Sequence, residues 1–429
     1  MDIRDPNIDT PLDWTYKGLA PEMDGLVVRQ LENLRLSLFD DRLLFPVAVL
    51  NDQALHDNSQ WMRRFLALTG VDIAPHGKTT MAPELFRLQM EDGAWAISAA
   101  TAHHVRAYRK FGLSRIFLAN QLIGAGAADW VIGELREDPD FDFYSLVDSI
   151  EMLEPLVQAV RRGKLQRPLQ LLIEVGMQGG RAGVRSVEAG LKIATQIAQY
   201  PNELALVGVE TFEGVFQMAT DGEARAYRMI DDVAELARAC DQRGLFRERI
   251  ILSAGGSAYF DFAAGKLNQH GLSLPTQVVI RSGCYLSHDN GMYQMLVRNL
   301  LERFPEAAAL SPSLTPALQV WAQVQSRPET NLLICAMGKR DVGTDAHVPK
   351  LIAWTPAGEL LPHPAPPDYE VTSLNDQHTF LKCPTDSLLR VGDYVGFGVS
   401  HPCTTFDRWR LLFRVDEQYQ IAGAIRTYF

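Results

Sequence analysis

The amino-acid sequence predicts an α/β protein in which a TIM-type (β/α)8 barrel is followed by a mainly antiparallel β domain. From about residue 44 to residue 284, short apolar runs alternate with longer amphipathic stretches, which is typical of parallel strands joined by helices. After about residue 305, prolines cluster and short β-type runs follow without long helices, as in antiparallel sheets. We predict an N-terminal arm at residues 1–40, a barrel at 41–305 and a β domain at 306–429.

Nine short apolar runs are candidate strands of the barrel. In chain order they lie at residues 44–50, 71–76, 95–99, 115–120, 142–147, 169–175, 204–210, 249–254 and 277–283. An eight-stranded barrel needs one run fewer. We expect the first run to lie outside the barrel, because it precedes the first clear strand–helix pair.

Composition and charge restrict the class of protein. Hydrophobic residues make up 47% of the 429 residues and charged residues 22%, an ordinary balance for a globular protein with a large core. The 41 Lys and Arg against 52 Asp and Glu give a net charge of −11, which argues against nucleic acid or an anionic membrane as a partner. The sequence has no bilayer-spanning run, no leader pattern and only irregularly spaced cysteines, so we expect a cytoplasmic protein with reduced thiols.

The segment PHGKTT at residues 75–80 ends the second apolar run. In a β/α barrel the carboxyl ends of the strands build the active site. A lysine that is desolvated there has a lowered pKa and reacts with aldehydes. Lys78 and its neighbour His76 are therefore candidate catalytic residues. The other interpretation is an ordinary loop lysine beside a histidine that caps or hydrogen-bonds.

Two glycine-bearing turns, SAGGSAYF at residues 253–260 and RSGCYLSHDNG at 281–291, follow the last two predicted barrel strands. Loops at these positions often bind phosphate through backbone N–H groups. Such turns are common, so neither is specific by itself. Together with a lysine on an early strand, they describe a site for pyridoxal 5′-phosphate (PLP).

The segment SHPCTTFDRW at residues 400–409 places His401 and Cys403 two positions apart. On a strand both side chains would face the same side and could reach one ion. Imidazole and thiolate suit Zn²⁺, and two protein ligands would leave positions open for water or substrate. His347 and His378 are candidates for a further ligand or an outer partner. An isolated HxC is more often a histidine and a buried thiol that bind no metal.

Six segments together resemble the fold-type III PLP enzymes of the D-serine dehydratase and D-threonine aldolase family, relatives of alanine racemase. They are PHGKTT, EVGMQGGRAGV, SAGGS, RSGCY, GKRDVGTD and SHPCTTFD. The resemblance covers about residues 40–420 and implies an alanine racemase-like barrel and a homodimer. The dehydratase branch is most similar, because the second metal position is Cys403 and the aldolase branch has an aspartate there.

The resemblance also implies roles for single residues. Lys78 corresponds to the lysine that carries the cofactor, and His401 and Cys403 correspond to the zinc ligands. Arg181 corresponds to an arginine beside the phenolic oxygen of the cofactor. The residues that match the phosphate-binding turns are Gly255, Gly256, Ser257, Gly283, Cys284 and Tyr285.

The chain departs from the family pattern at several positions. Glu210 or Glu213 falls where the family places a residue near the pyridine nitrogen, and a tyrosine is more usual there in the dehydratases. Thr80 stands where the family usually has a histidine. Gln377 and His378 stand where it often has a Glu-His pair. The departure near the pyridine nitrogen is the one that affects the electronics of the cofactor ring.

The function that the resemblance implies is that of a PLP- and zinc-dependent D-serine dehydratase, a D-serine ammonia-lyase. Such an enzyme eliminates the β-hydroxyl of a D-amino acid and releases an α-keto acid, pyruvate in the case of D-serine, together with ammonia. A D-threonine aldolase or a D-threo-3-hydroxyaspartate dehydratase fits the same motifs. A racemase fits less well, because it needs a second base and no distinct motif for one is evident. A non-catalytic PLP-binding protein also fits less well, because the β domain and its HxC are present. Whether the metal ligands act within one subunit or across the dimer stays open.

Overall fold

The computed structural model describes residues 3–429, so residues 1 and 2 of the predicted arm lie outside the described residues. Its strands are β1 (Val47–Asn51), β2 (Asp72–Ile73), β3 (Ile97–Ala99), β4 (Arg115–Gln121), β5 (Asp142–Val147), β6 (Leu169–Val175), β7 (Leu204–Thr211), β8 (Ile250–Ala254), β9 (Thr276–Ile280), β10 (Leu318–Glu329), β11 (Leu332–Cys335), β12 (Lys350–Thr355), β13 (His363–Pro364), β14 (Glu370–Leu374), β15 (Thr379–Lys382), β16 (Tyr394–Gly398), β17 (Leu411–Val415) and β18 (Ile421–Arg426).

Helices separate most of these strands. The α-helices are α1 (Asp52–Thr69), α2 (Pro83–Glu91), α3 (Ala102–Phe111), α4 (Ala125–Glu137), α5 (Leu153–Gly163), α6 (Val187–Ile197), α7 (Gly222–Gln242), α8 (Phe260–Leu267), α9 (Met292–Arg303), α10 (Pro305–Ala308) and α11 (Cys403–Phe406). Short 3-10 helices lie at Pro21–Met23, Val28–Leu34, Gly77–Thr79, Ile150–Met152 and Glu213–Phe216. Over residues 3–429, no helix combines the length and the apolar character needed to cross a membrane.

The chain divides into two compact units, which are described separately. The first is built mainly from Arg63–Lys78 and Gln89–Gly283, and the second from Arg4–Met62, Thr79–Leu88 and Cys284–Phe429. Each unit therefore combines segments that are separated in the sequence. The predicted division into three continuous segments, with boundaries at residues 40 and 305, stays a prediction.

The first unit contains a parallel sheet of the eight strands β2 to β9, in the order β2-β9-β8-β7-β6-β5-β4-β3. Backbone hydrogen bonds from Trp95 N to Ile73 O (2.8 Å) and from Ser98 N to Pro75 O (2.9 Å) join the two ends of this order. The sheet thus curls into a barrel with helices between its strands, and the predicted (β/α)8 fold class is confirmed.

Apolar side chains fill the interior of the barrel, so the sheet has no open channel in this layer. The buried residues of this layer are Ala74, Ala96, Phe117, Tyr144, Leu146, Leu172, Ile251 and Val279. Several helices begin at residues that favour this position. Thr101 precedes α3 and accepts a hydrogen bond from His104 N (3.2 Å), and Ser186 precedes α6 and accepts one from Ala189 N (3.1 Å). The candidate site lies at the carboxyl ends of the barrel strands.

The second unit contains the antiparallel sheet that the sequence predicted after the barrel. Its main path is β13-β12-β16-β10-β1-β17-β18, and β11, β14 and β15 extend it from β10. Strand β1 pairs antiparallel with β10 and parallel with β17. This pairing confirms that the first apolar run lies outside the barrel.

The N-terminal segment packs on this antiparallel sheet. Leu12, Leu19 and Leu31 are buried in the same apolar cluster as Trp321 and Phe413. These side chains remove apolar area from water, which stabilises the unit by roughly 25 cal/mol for each Å² buried. The segment is therefore an integral part of the second unit.

Candidate active site

Lys78 lies in the 3-10 helix Gly77–Thr79, which directly follows β2 at the carboxyl end of the barrel. A parallel bridge between His76 and Ser98 fixes the chain just before it. Lys78 is exposed in the structure, so the desolvated amine that the sequence argument expected is not found. His76 differs, because its Nδ1 is buried without a hydrogen-bond partner among the described residues. Burial, and then the charge of Lys78, lower the pKa of His76 well below its usual value.

Three buried glutamates lie near the carboxyl ends of β6 and β7. They are Glu174, Glu210 and Glu213. The Oε2 atom of Glu210 lies 2.5 Å from Nη2 of Arg281, and the same Nη2 donates a hydrogen bond to Thr211 O (2.7 Å). Burial raises the pKa of Glu210 to about 8; Arg281 opposes this rise, and the nearby Glu174 adds to it. Arg281 and Glu210 thus form a buried pair at the centre of this cluster.

The first glycine turn binds a carboxylate. Gly255 follows β8 with a φ of +80°, a conformation that favours glycine. The N–H of Gly256 donates to Oε1 of Glu213 (2.8 Å), and the N–H of Gly255 donates to Oε2 (3.2 Å). A Cβ at Gly256 would lie 2.9 Å from the Phe212 ring, so a side chain there would force the ring or the turn to shift. Ser257 comes next on this turn, which presents backbone donors to an anion as a phosphate-binding turn would.

Arg181 lies on the loop after β6 and is about half exposed. Its Nη2 lies 3.6 Å from Oε1 of Glu174, and its guanidinium lies 4.7 Å from the centre of the Phe212 ring. The other Glu174 oxygen accepts a hydrogen bond from Gln121 Nε2 (2.5 Å). These contacts hold the arginine beside the buried glutamates at the strand ends.

The barrel unit fits a PLP-like group by the chemistry of its residues. An exposed lysine amine can bind an aldehyde, and the glycine turn holds an anion through its backbone. Among residues 3–429, the buried polar atoms without a hydrogen-bond partner include His76 Nδ1, Arg281 Nε and both carboxylate oxygens of Glu210, although Glu210 Oε2 lies 2.5 Å from Arg281 Nη2. A polar heteroaromatic ring would give such atoms partners.

A second cluster lies in the second unit around His401 and Cys403. Nδ1 of His401 lies 2.6 Å from Oδ2 of Asp345, whose Oδ1 accepts a hydrogen bond from Thr404 Oγ1 (2.6 Å). Cys403 begins helix α11 and does not lie on a strand, so the strand geometry expected from the sequence is wrong. His401 and Cys403 still interact electrostatically, since each shifts the pKa of the other. The turn at Pro402 brings the two side chains together.

The electrostatics of this cluster favour a charged pair. Burial lowers the pKa of His401, but hydrogen bonds with Cys403 and Asp345 prevail and raise it to about 9. A hydrogen bond with Cys284, followed by one with His401, lowers the pKa of the Cys403 thiol well below its usual value. The Sγ atoms of Cys284 and Cys403 are 3.7 Å apart, and Cys403 Sγ lies 3.4 Å from Thr79 Oγ1. Cys403 is thus stabilised as a thiolate, the form that binds metal.

The donors at His401 and Cys403 suit zinc in kind, and Asp345 stands where a carboxylate would orient a ligating histidine. His347 joins this region by its backbone, whose N–H donates to Ser400 Oγ (3.2 Å). The backbone oxygen of His378 accepts a hydrogen bond from Asn375 N (2.8 Å). Within residues 3–429, no group of three or more His, Cys, Asp or Glu side chains is arranged to hold a metal ion.

Of the remaining residues assigned to the phosphate turns, Tyr285 is buried and the thiol of Cys284 faces Cys403. Sequence reasoning assigned no role to Arg281 and Asp345, although both lie in segments that carry the family resemblance. A charged residue directly after an apolar strand was a usable signal for Arg281. Asp345 is 56 residues from His401, and no spacing pattern connects them.

Comparisons with protein-family models cover both units. Residues 50–286 match the model described as "Alanine racemase, N-terminal domain". Residues 317–415 match the model described as "Putative serine dehydratase domain". The first match includes Lys78 and Arg281, and the second includes His401 and Cys403.

Curated proteins with similar sequences are aldolases. The chain is 23% identical over 228 residues to a 3-hydroxy-D-aspartate aldolase of Paracoccus denitrificans. This match covers 52% of this chain and 58% of that protein. The chain is also 23% identical over 339 residues to a D-threonine aldolase of Arthrobacter sp. That match covers 78% of this chain and 78% of the aldolase. The first match thus spans less than two thirds of the relative's length.

Solved structures show the same fold at low identity. A D-threonine aldolase from Filomicrobium marinum superposes with a TM-score of 0.72 at 20% identity, covering 90% of this chain and 95% of that one. The D-threo-3-hydroxyaspartate dehydratase of Delftia sp. HT23 superposes with a TM-score of 0.68 at 18% identity, covering 90% and 98%. At these identities the likeness is one of fold.

Proposed function

The chain belongs to the alanine racemase N-terminal domain family of fold-type III PLP proteins, and from this premise we propose that it is a PLP- and zinc-dependent D-serine dehydratase. It would release an α-keto acid and ammonia from a D-amino acid that carries a β-hydroxyl. The observation that carries this proposal is the HxC cluster of His401 and Cys403 with Asp345 behind the histidine.

In the barrel unit, Lys78 Nζ would hold the cofactor and, once released by the substrate, accept the proton from Cα. PLP, when bound, supplies an electron sink for the negative charge left at that carbon. Arg281 and Glu210 would offer polar contacts to the ring, and the turn at Gly255 and Gly256 would offer backbone donors to its phosphate. Glu213 would have to leave those two donors to the phosphate.

In the second unit, His401 and Cys403 would hold the metal. Zinc, when bound, acts as a Lewis acid for the departure of a hydroxyl group. The Asp345 carboxylate can only accept a hydrogen bond when ionised, so it keeps a proton on His401 Nδ1 and leaves Nε2 for the metal. Support comes from two solved variants of the D-threo-3-hydroxyaspartate dehydratase. In one variant a histidine is replaced by alanine, and in the other a cysteine two positions later is replaced by alanine. The cysteine variant was solved in a metal-free form.

The same HxC spacing favours a second candidate substrate, D-threo-3-hydroxyaspartate, which is named for the structurally similar dehydratase. Its additional carboxylate would require a further cation near the substrate. An aldolase remains the alternative reaction, because the similar curated proteins carry that name.

We expect purified protein reconstituted with PLP to form keto acid and ammonia from D-serine or D-threo-3-hydroxyaspartate. Turnover should fall at least about tenfold after EDTA treatment and return with zinc, since the metal would stabilise the leaving group. The assay measures keto acid, ammonia, glycine and aldehyde from these substrates and from D-threonine. Glycine and an aldehyde would indicate the aldolase reaction, and unchanged turnover in EDTA would contradict the role of zinc.

Replacing Asp345 with asparagine is expected to weaken zinc binding about 10- to 100-fold, because the carboxylate would no longer fix the His401 tautomer. The affinity is measured by competition with a chromophoric chelator. Thr404→Val is the comparison variant, since it removes the hydrogen bond to the other Asp345 oxygen and a 3.4 Å bond to the backbone oxygen of His401, but keeps the Asp345–His401 contact. Equal affinities for Asp345→Asn and the wild type would refute the positioning role.

We also propose that the protein acts as a cytoplasmic homodimer on a small D-amino acid. The family resemblance supports the dimer. The net charge of −11 supports the expectation that neither nucleic acid nor an anionic membrane is a partner. Sedimentation velocity of the purified protein tests the dimer.

A further inference from the structure

A loop at residues 338–345, here called the site loop, brings Asp345 to its contact with His401. Lys17 of the N-terminal segment binds this loop, and the lysine, the loop and His401 all belong to the second unit. Lys17 lies outside both regions of the chain that match a family model. The family assignment therefore gives this lysine no role.

Lys17 and Asp341 form an ion pair between the N-terminal segment and the site loop. Lys17 Nζ lies 2.8 Å from Asp341 Oδ1 and donates a hydrogen bond to the backbone oxygen of Arg340 (3.2 Å). The Asp341 side chain is 0% exposed, and its other oxygen accepts a hydrogen bond from Gly338 N (2.9 Å). Lys17 Nζ also lies 3.7 Å from the centre of the Trp409 ring. Because a buried carboxylate needs a partner for its charge, Lys17 stabilises this conformation of the site loop.

The position of Lys17 is fixed by the residues on either side of it. Gly18 has a φ of +88°, and a Cβ there would lie 2.8 Å from Val47 Cγ1, so the chain packs closely against β1 at this point. On the other side, Thr15 Oγ1 accepts a hydrogen bond from Arg410 Nη1 (2.9 Å). The lysine is therefore presented to the site loop from a backbone that is itself attached to the second unit.

The site loop is also attached to helix α11 and to the residues that follow it. Trp409 Nε1 donates a hydrogen bond to Asp341 O (2.8 Å), and Gly343 N donates one to Thr405 Oγ1 (3.0 Å). Asp341 and Asp345 are only four positions apart on this loop. A displacement of Asp341 would therefore also move Asp345.

We propose that Lys17 is a positioning residue, which pairs with Asp341 and thereby holds the site loop so that Asp345 meets His401. This inference rests on the proposed function, in which Asp345 orients His401, and it adds a residue from outside the family regions. Among the described residues, Lys17 has no polar contact with His401, so it acts through the loop.

The first test uses a paired variant, Lys17→Met with Asp341→Asn, which removes both charges and leaves neither buried without a partner. Amide hydrogen exchange of the metal-free protein measures the order of the site loop. In the wild type, Gly338 N, Asp341 N and Gly343 N donate hydrogen bonds and are expected to exchange slowly. Exchange over residues 338–345 should become at least about tenfold faster in the paired variant. Unchanged exchange would overturn the proposal.

The second test asks whether Lys17 acts through Asp345. Zinc affinity, measured by competition with a chromophoric chelator, should fall at least about fivefold in the paired variant, since His401 is then less well oriented. In an Asp345→Asn background, the same pair of changes should lower the affinity by less than about twofold, because the contact they support is already lost. A lysine that only stabilises the unit would give equal losses in both backgrounds, and that result would overturn the proposal.

Two further variants serve as controls. Lys17→Arg keeps a cation beside Asp341 and Trp409, and it should keep loop exchange and zinc affinity within about twofold of the wild type. Arg29→Met removes an exposed ion pair with Asp9 (2.7 Å) in the same N-terminal segment, and it should change neither value.

The outcomes separate this inference from the proposed function. A paired variant with the zinc affinity of the wild type overturns the positioning role and leaves the His401–Cys403 site standing. A wild type that binds no zinc overturns the zinc site, and loop exchange then decides whether Lys17 holds the site loop. If the paired variant loses its cooperative unfolding, Lys17→Gln, which replaces the cation by a neutral hydrogen-bond donor, takes its place in both tests.

Discussion

Replacing Lys78 with alanine is expected to abolish the visible absorbance of lysine-bound PLP and to lower turnover by at least about 10⁴-fold. The expected loss is large because one amine would both hold the cofactor and accept the Cα proton, and proton transfer alone contributes about 10²–10⁴-fold. Lys78 is exposed directly after β2, so its removal leaves no buried cavity. Thermal unfolding should therefore change little, and the absorbance spectrum and steady-state rates measure the effect.

The matched control is Lys78→Arg, which keeps the positive charge but lacks a nucleophilic amine at working pH. If Lys78 acts by bonding to the aldehyde, the arginine variant should lose absorbance and turnover as completely as the alanine variant. If Lys78 only attracts the cofactor by its charge, the arginine variant should retain much of both. Full turnover in Lys78→Ala would remove Lys78 from the mechanism altogether.

The fold class was predictable because the sheet leaves a local signal in the sequence. A parallel strand that is buried on both faces appears as a short apolar run, and β6 and β8 both coincide with such runs. The displaced strand β1 was also predictable, since it precedes the first strand–helix pair. Its partners β10 and β17 were not, because pairing across hundreds of residues has no local signature.

The candidate site was predictable where one short segment carries the chemistry, as PHGKTT does for Lys78. Two expectations were wrong for local reasons. Cys403 begins a helix because the strand before it ends at Gly398, and Lys78 is exposed because it lies in a 3-10 turn beyond β2. The Asp345–His401 contact depends on tertiary structure, as does the meeting of Cys284 with Cys403, so neither was visible in the sequence.

The buried pair of Arg281 and Glu210 carries a different kind of prediction, which concerns stability. Both side chains are almost fully buried, at 5% and 0% exposure, and they lie 2.5 Å apart. Replacing Arg281 with methionine would leave the Glu210 carboxyl without its cation, a change that costs about 3–5 kcal/mol when the remaining partner is charged. We expect the full loss in the free energy of unfolding only at a pH where Glu210 is ionised in the variant as well.

The pH dependence gives the sign of this effect. The pKa of Glu210 is raised to about 8 in the folded protein, from a usual value of 4.5, so the stability tied to its neutral form is complete below pH 4.5 and is lost as pH rises through about 8. Without Arg281 the carboxyl is still harder to ionise. The deficit of Arg281→Met should therefore be small at pH 6 and grow by at most about 1.4 kcal/mol for each pH unit above 8, so that pH 9 shows part of the full value.

Denaturant unfolding of the wild type and its variants at these two pH values measures the deficit. Arg281→Lys keeps a cation and should lose much less stability at high pH than Arg281→Met. The double variant with Glu210→Gln should recover most of the loss, because the unpaired carboxyl is then absent. A deficit that is equal at both pH values, or a double variant no more stable than Arg281→Met, would mean that Arg281 stabilises the barrel by packing and by its bond to Thr211 O. The pH-dependent result would assign the stabilisation to its charge, and would identify Glu210 as the carboxyl that needs it.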